Sequence, residues 1–263
     1  MGGVTHVIHC AGCTKSVAIK GFYEVNQTGT RNVVEAVNTG GTGVRRLVHV
    51  SSQAAGGPAS ADHPAREDDL PQPISEYGKS KLAGEMEVRQ GCRTDFAIVR
   101  PPAVYGPRDR GFYSLFQAVQ HHLRPQPSAP KALSLVYVED LAEAITRCLD
   151  LPAATRQTYY ACASEVVTGL QMADVVARQM KRWTIPVPLP AAVLWPACAF
   201  QDLLARLTRK ARLLNLAKYP ELRAHGWVCS GAKLERDFGW SCKTGLEAGV
   251  SKTLRWYREN HWL

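Results

Sequence analysis

Between residues 4 and 162, short runs of β-branched and aliphatic residues alternate with segments whose apolar positions recur every three or four residues. That alternation constrains the fold most, because strands joined through helices line up in parallel and the helices cover the faces of the sheet. Residues 4–11 (VTHVIHCA) read as a buried strand that feeds a loop at Gly12. Val25, Val33, Ala36 and Val37 put a helix over 22–37, with Gly40 and Gly41 as its C-cap residues. Strands follow at 47–50, 96–99, 133–137 and 158–162, and helices at 77–89 and after Glu139 or Asp140, which is expected to cap the second.

Beyond Ala163 the periodicity is mostly helical, with segments near 170–180, 191–207, 231–238 and 246–258. Thr244 and Glu247 have capping-box spacing at the start of the last one. The expected architecture is α/β: a doubly wound parallel sheet over 1–163 and a smaller, mostly helical lobe over 164–263 that binds substrate. The apolar stretch 185–200 is shorter than the roughly 20 residues that cross a bilayer and carries Pro186, Pro188, Pro190 and Pro196. It reads as a helix packed in the C-terminal lobe, and no transmembrane segment is expected.

Composition narrows the function. With 45% hydrophobic and 21% charged residues, the 263-residue chain has the profile of a folded protein rather than a disordered one. A net charge of +9 comes from scattered Lys and Arg instead of a basic run interleaved with aromatics, which argues against nucleic acid and suits an anionic small ligand. Eight cysteines without framework spacing read as reduced thiols in the cytoplasm.

The chemistry concentrates at Tyr77-Gly-Lys-Ser-Lys81. Four residues of helix bring the phenol and the ammonium onto one face, where the cation can lower the phenol pKa and make Tyr77 a proton donor or acceptor. Ser52 ends a strand 25 positions earlier, at the edge where ligands bind in open α/β sheets. Its hydroxyl can hold a carbonyl beside the phenol, although Ser51 and Ser52 could also simply cap the strand.

Other motifs read more plainly. Cys10-Ala-Gly-Cys13 has redox spacing without a second pair, and Ser230-Gly-Ala-Lys233 lacks the companion motifs of serine acylases, so Ser230 reads as a helix cap. His6, His9 and His49 fall on strands as core histidines, His121 and His122 end a helix, and no metal site is expected. Glu67, Asp68 and Asp69 read as solvated.

VTHVIHCAG, YEVNQTGTRNVVEAV, RRLVHVSSQAAGG, EYGKSKLAGE, IVRPPAVYGPRD, VYVEDLAEAI and FGWSCKTGLEAGVSKTLRWY occur in this order and cover nearly the whole chain. Through them the chain resembles the extended short-chain dehydrogenase/reductase family of NAD-dependent epimerases and dehydratases, which includes UDP-galactose 4-epimerase and 3β-hydroxysteroid dehydrogenase. The resemblance implies Ser52, Tyr77 and Lys81 as catalytic residues. It implies Ala11, Gly12, Asn26, Ser51, Lys81, Pro101, Pro102 and Val104 as cofactor-binding ones, with Lys81 on the nicotinamide ribose. The substrate would be a secondary alcohol or ketone on a sugar nucleotide, a sterol-like or an isoprenoid molecule. The helices bearing Asn26 and Tyr77 would pair two subunits into a homodimer.

Members of that family begin with a strand and a Gly-x-x-Gly-x-x-Gly turn that holds the pyrophosphate. Here the nearest glycine cluster, at 40–43, follows a helix, and 4–11 resembles the family's fourth strand. The expectation is a partial Rossmann-type sheet lacking its first three strands, which binds NAD, or less readily NADP, weakly. The alternative is a noncatalytic relative that keeps the fold for binding or assembly.

Overall fold

The structure is a computed structural model that describes residues 3–40, 43–127, 131–208 and 215–263. Its strands are β1 (His6–His9), β2 (Arg46–Val50), β3 (Asp95–Arg100), β4 (Ala103–Tyr105), β5 (Leu123–Pro127), β6 (Ala132–Tyr137), β7 (Gln157–Tyr160), β8 (Val166–Thr168), β9 (Ile185–Leu189) and β10 (Gly226–Trp227). The α-helices are α1 (Ile19–Tyr23), α2 (Gly29–Thr39), α3 (Gln53–Gly56), α4 (Glu76–Gly91), α5 (Tyr113–Gln120) and α6 (Val138–Asp150). They continue with α7 (Gly169–Met180), α8 (Ala191–Thr208), α9 (Tyr219–Arg223), α10 (Ala232–Phe238) and α11 (Leu246–Glu259).

Four strands in the order β1-β2-β3-β7 form an all-parallel sheet, with Val48 opposite Ala97 and Val99 opposite Tyr159. Successive side chains of a strand point to opposite faces, and both faces are covered. Leu47, Phe96 and Ile98 join Val34, Val37 and Val88 from α2 and α4 in one core. Val48, Ala97 and Val99 join Leu141, Ala144, Ile145 and Cys148 from α6 in another. Helices on both faces of a parallel sheet make the architecture doubly wound, as the alternation predicts.

A second sheet, β10-β6-β4 with β8 antiparallel to β6, carries the C-terminal half. Tyr105, Phe116 and Tyr137 pack there with Met172, Val176, Val250 and Tyr257 from α7 and α11. In return, Leu234 of α10 and Trp240 join the core under α6. Segments on either side of residue 163 therefore contribute to both cores.

Several local expectations give way. Asp140 does not cap α6; it is buried and accepts the Thr244 N–H at 3.0 Å. The 244–247 capping box does not form, because Gly245 is the N-cap and Glu247 pairs with Arg178 at 2.6 Å. A reciprocal box exists instead at Thr168 and Gln171, ahead of α7. Gly40 ends α2 with a negative φ, while Gly41 lies outside the described residues.

The stretch 185–200 is a helix only from Ala191; β9 runs parallel to β5 before it. Prolines two apart, at 186 and 188, put their missing N–H groups on the same side of β9, so Ile185 remains free to donate to His122 O at 2.8 Å. Glu67 is not solvated, since one oxygen accepts the Tyr160 N–H at 2.8 Å and burial pushes its pKa up. His122 stacks on Trp183 with ring centroids 4.1 Å apart, so it packs rather than serving a helix terminus.

Candidate active site

Tyr77 stands in the first turn of α4, whose start is set by Ser75, an extended residue that accepts the Gly78 N–H at 3.0 Å. The same Ser75 hydroxyl donates to Glu221 Oε1 at 2.5 Å, which ties the helix start to α9. Ser52 follows the C-terminal end of β2 and caps α3 by accepting the Ala54 N–H at 3.2 Å. Capping and chemistry are not exclusive here: the Ser52 hydroxyl also lies close enough to the Tyr77 phenol to pull its pKa down.

One turn beyond Tyr77, the buried Lys81 ammonium donates to the Val50 carbonyl at 2.7 Å. Burial pushes its pKa down to about 8, opposed by Glu85 and Cys10. Burial also raises the Tyr77 pKa; the Ser52 hydroxyl works against that rise, and Glu221 and Cys13 add to it. The phenol is therefore shifted upward, not down as helix spacing to Lys81 suggests, because desolvation dominates while the ammonium is turned toward Val50.

Ala11 and Gly12 are exposed on the loop after β1. A Cβ on Gly12 would sit 3.7 Å from Lys81 Nζ and 3.4 Å from Asn26 Oδ1, so a side chain there would crowd the approach to the ammonium. Asn26 itself is fully buried in a π-helical turn, Glu24–Thr28. Its Oδ1 accepts the Cys13 N–H at 2.7 Å, and its Nδ2 donates to Cys13 O at 3.0 Å and to Ser80 Oγ at 2.9 Å. With both amide atoms occupied, Asn26 supports the loop from behind. Gly84 permits this approach, since a Cβ there would meet Asn26 O at 2.3 Å.

Four expected cofactor residues lie deeper than the sequence suggests. Ser51 is buried and donates to Glu85 Oε1 at 2.6 Å. Pro101 and Pro102 are buried between β3 and β4, with Pro101 O accepting the Gln53 N–H at 2.8 Å. Val104 is half-buried and packs against the core under α6. At the end of β2, Ser52 therefore lies beside Tyr77, and Gly12 beside the Lys81 ammonium that reaches the Val50 carbonyl.

What sequence reading missed is the support beneath. Glu85 is fully buried and forked to Arg100, with contacts of 2.8 and 2.7 Å, and Arg100 reaches the Tyr160 hydroxyl at 3.3 Å. The signal was available, because Tyr77, Lys81 and Glu85 recur every four residues on one helix. Lys218, 5.9 Å from the Tyr77 ring centre, and Glu221 also reach the site, from a segment with no legible motif. Cys10 and Cys13 are unpaired, and Ser230 accepts the Ala232 N–H at 3.3 Å. No metal-ligating cluster occurs among the described residues.

The first 162 residues match the family described as "NAD dependent epimerase/dehydratase family". The chain is 31% identical over 262 residues to the ceramide reductase of Caulobacter vibrioides, covering 99% of this chain and 76% of that protein. It is 28% identical over 202 residues to the UDP-glucose 4-epimerase of Vibrio cholerae, covering 70% and 60%. A crystal structure of dTDP-glucose 4,6-dehydratase from Bacillus anthracis in complex with NAD superposes over 98% of this chain and 74% of that one, with a TM-score of 0.76 and 17% identity. That last likeness is one of fold.

Proposed function

The chain belongs to the NAD-dependent epimerase/dehydratase family, and from that premise we propose that it oxidises a secondary alcohol or reduces the corresponding ketone with NAD or NADP, on a long-chain amphiphilic substrate. The observation that carries the redox reading is the Ser52 hydroxyl beside the Tyr77 phenol, close enough to pull its pKa down, with Lys81 one turn further along α4. Two hydroxyls so placed can both contact one substrate oxygen. Ser52 would orient that oxygen, and Tyr77 would give it a proton or take one.

The residues present suit the nicotinamide half of such a cofactor. Gly12 leaves a cradle that a Cβ would fill beside Lys81, and the ammonium keeps donors beyond the one given to Val50. Lys81 would hold the ribose there, and the Ala11–Gly12 backbone would lie alongside it. When bound, the nicotinamide supplies the acceptance or donation of hydride.

For the substrate, the reductase relative is 31% identical over 99% of this chain, C-terminal lobe included. The exposed tryptophans of that lobe, Trp183 and Trp195, also suit a lipid-like molecule better than a sugar nucleotide.

The test follows reduced nicotinamide with a long-chain ketone and, separately, with a sugar nucleotide. Tyr77→Phe should lower turnover about a hundredfold or more while the fold persists. Undiminished turnover in that variant overturns the role of Tyr77, and turnover of the sugar nucleotide alone overturns the substrate class.

A further inference from the structure

Helix α8 turns its apolar side outward. Val193, Phe200, Leu203 and Leu207 are 53%, 60%, 55% and 71% exposed, while Cys198 and Ala205 face inward. With Pro196 these positions alternate three and four apart and fall within about a quarter of the helix circumference, a continuous stripe rather than scattered surface residues. Trp195, at the start of the helix, is 55% exposed, and Trp183, just before β9, is 67% exposed. Soluble surfaces seldom leave so much contiguous apolar area uncovered.

From this stripe we propose that α8 lies in the plane of an anionic lipid bilayer, seated on its interface and not through it. Charge separates this partner from a second copy of the chain. Residues 181–214 contain six cations, Lys181, Arg182, Arg206, Arg209, Lys210 and Arg212, against one anion, Asp202. A segment of that net charge is attracted to anionic headgroups and repels a second copy of itself. Exposed tryptophans beside an apolar helix face suit the headgroup boundary, where one side of the indole is wet. No helix among the described residues is long and apolar enough to cross a membrane.

The location deepens the functional reading on which it rests. Helix α8 packs against the turn Leu216–Lys218 and α9. From that support Lys218 lies over the Tyr77 ring, and Glu221 accepts from Ser75 at the start of α4. The lipid-facing helix and the reacting phenol thus share one short support, and a substrate leaving the bilayer beside α8 reaches the cleft without crossing water. Docking would supply access to a lipid-borne alcohol or ketone.

The experiment is co-sedimentation of the full chain with vesicles of phosphatidylcholine alone and of phosphatidylcholine mixed with phosphatidylglycerol, without cofactor or substrate. Binding should require phosphatidylglycerol, weaken with salt, and fall about tenfold or more in the double variant Phe200→Asp, Leu203→Asp. That variant should turn over a short, water-soluble ketone as the parent does. As a measurement independent of the double variant, brominated lipid should quench tryptophan fluorescence, less so in Trp195→Phe.

Absent vesicle binding, or binding and quenching that ignore these substitutions, overturns the proposal. So does a dimer, seen by light scattering, that the double variant dissolves, since the stripe would then belong to a second copy. Because vesicle binding needs no turnover, its failure stays separate from failure of the redox reading.

Discussion

Asn26 and Cys13 hold each other twice: the Asn26 Oδ1 accepts the Cys13 N–H at 2.7 Å, and Nδ2 returns a hydrogen bond to the Cys13 carbonyl at 3.0 Å. A buried carboxamide in a π-helical turn thereby fixes the exposed loop that carries Ala11 and Gly12 beside Lys81. Loop position in this cleft depends on a side chain that does not itself face it.

Asn26→Ala should accordingly loosen the loop more than the core. It removes both bonds to Cys13 and the one given to Ser80 Oγ, at a cost of about 1–3 kcal/mol in urea unfolding. The Cys13 thiol should react faster with a thiol probe under native conditions. An unchanged labelling rate would mean that the loop is held by something else.

Lys81 predicts a pH effect with a definite sign. Its pKa is about 8 in the fold and near 10.5 when unfolded, so between those values the unfolded chain binds the additional proton. Stability from this group therefore rises with pH over that window, and the cost of burying the ammonium is fully present below about 8. Thermal unfolding of the parent and of Lys81→Met, followed from neutral to alkaline pH, should show the parent gaining on the variant. Parallel profiles would contradict the shift.

Glu85→Ala should be among the most damaging single changes on α4. It leaves the Arg100 guanidinium buried without its carboxylate and removes the acceptor of the Ser51 hydroxyl. Breaking a buried pair from one side costs about 3–5 kcal/mol. Chemical denaturation measures this, and a loss below about 1 kcal/mol would show the network to be dispensable.

The helices around Asn26 and Tyr77 leave Val25 and Met86 exposed, 41% and 42%, on the side away from the sheet. Pairing of these helices between two subunits would cover both residues. Light scattering should report a dimer that Met86→Glu weakens, whereas a parent that stays monomeric at micromolar concentration removes the proposal.

Residue types and spacing alone determined the alternation of strands and helices and the doubly wound sheet, because periods of two and about four write the buried faces directly into the chain. Tertiary structure decided the rest. Asp140 and Glu247 look like caps, yet each is taken by a partner distant in sequence, Thr244 and Arg178. Ser51 looks like a site residue until Glu85 claims its hydroxyl, and the Tyr77 pKa moves upward because of burial, which no local pattern encodes. Lys218 and Glu221 reach the phenol from about 140 residues away through the way α9 packs, and the outward stripe of α8 looks like a core helix until its neighbours are known. Hydrogen-bond partners and desolvation belong to whatever the fold brings near, so the sequence proposes these groups and packing assigns their use.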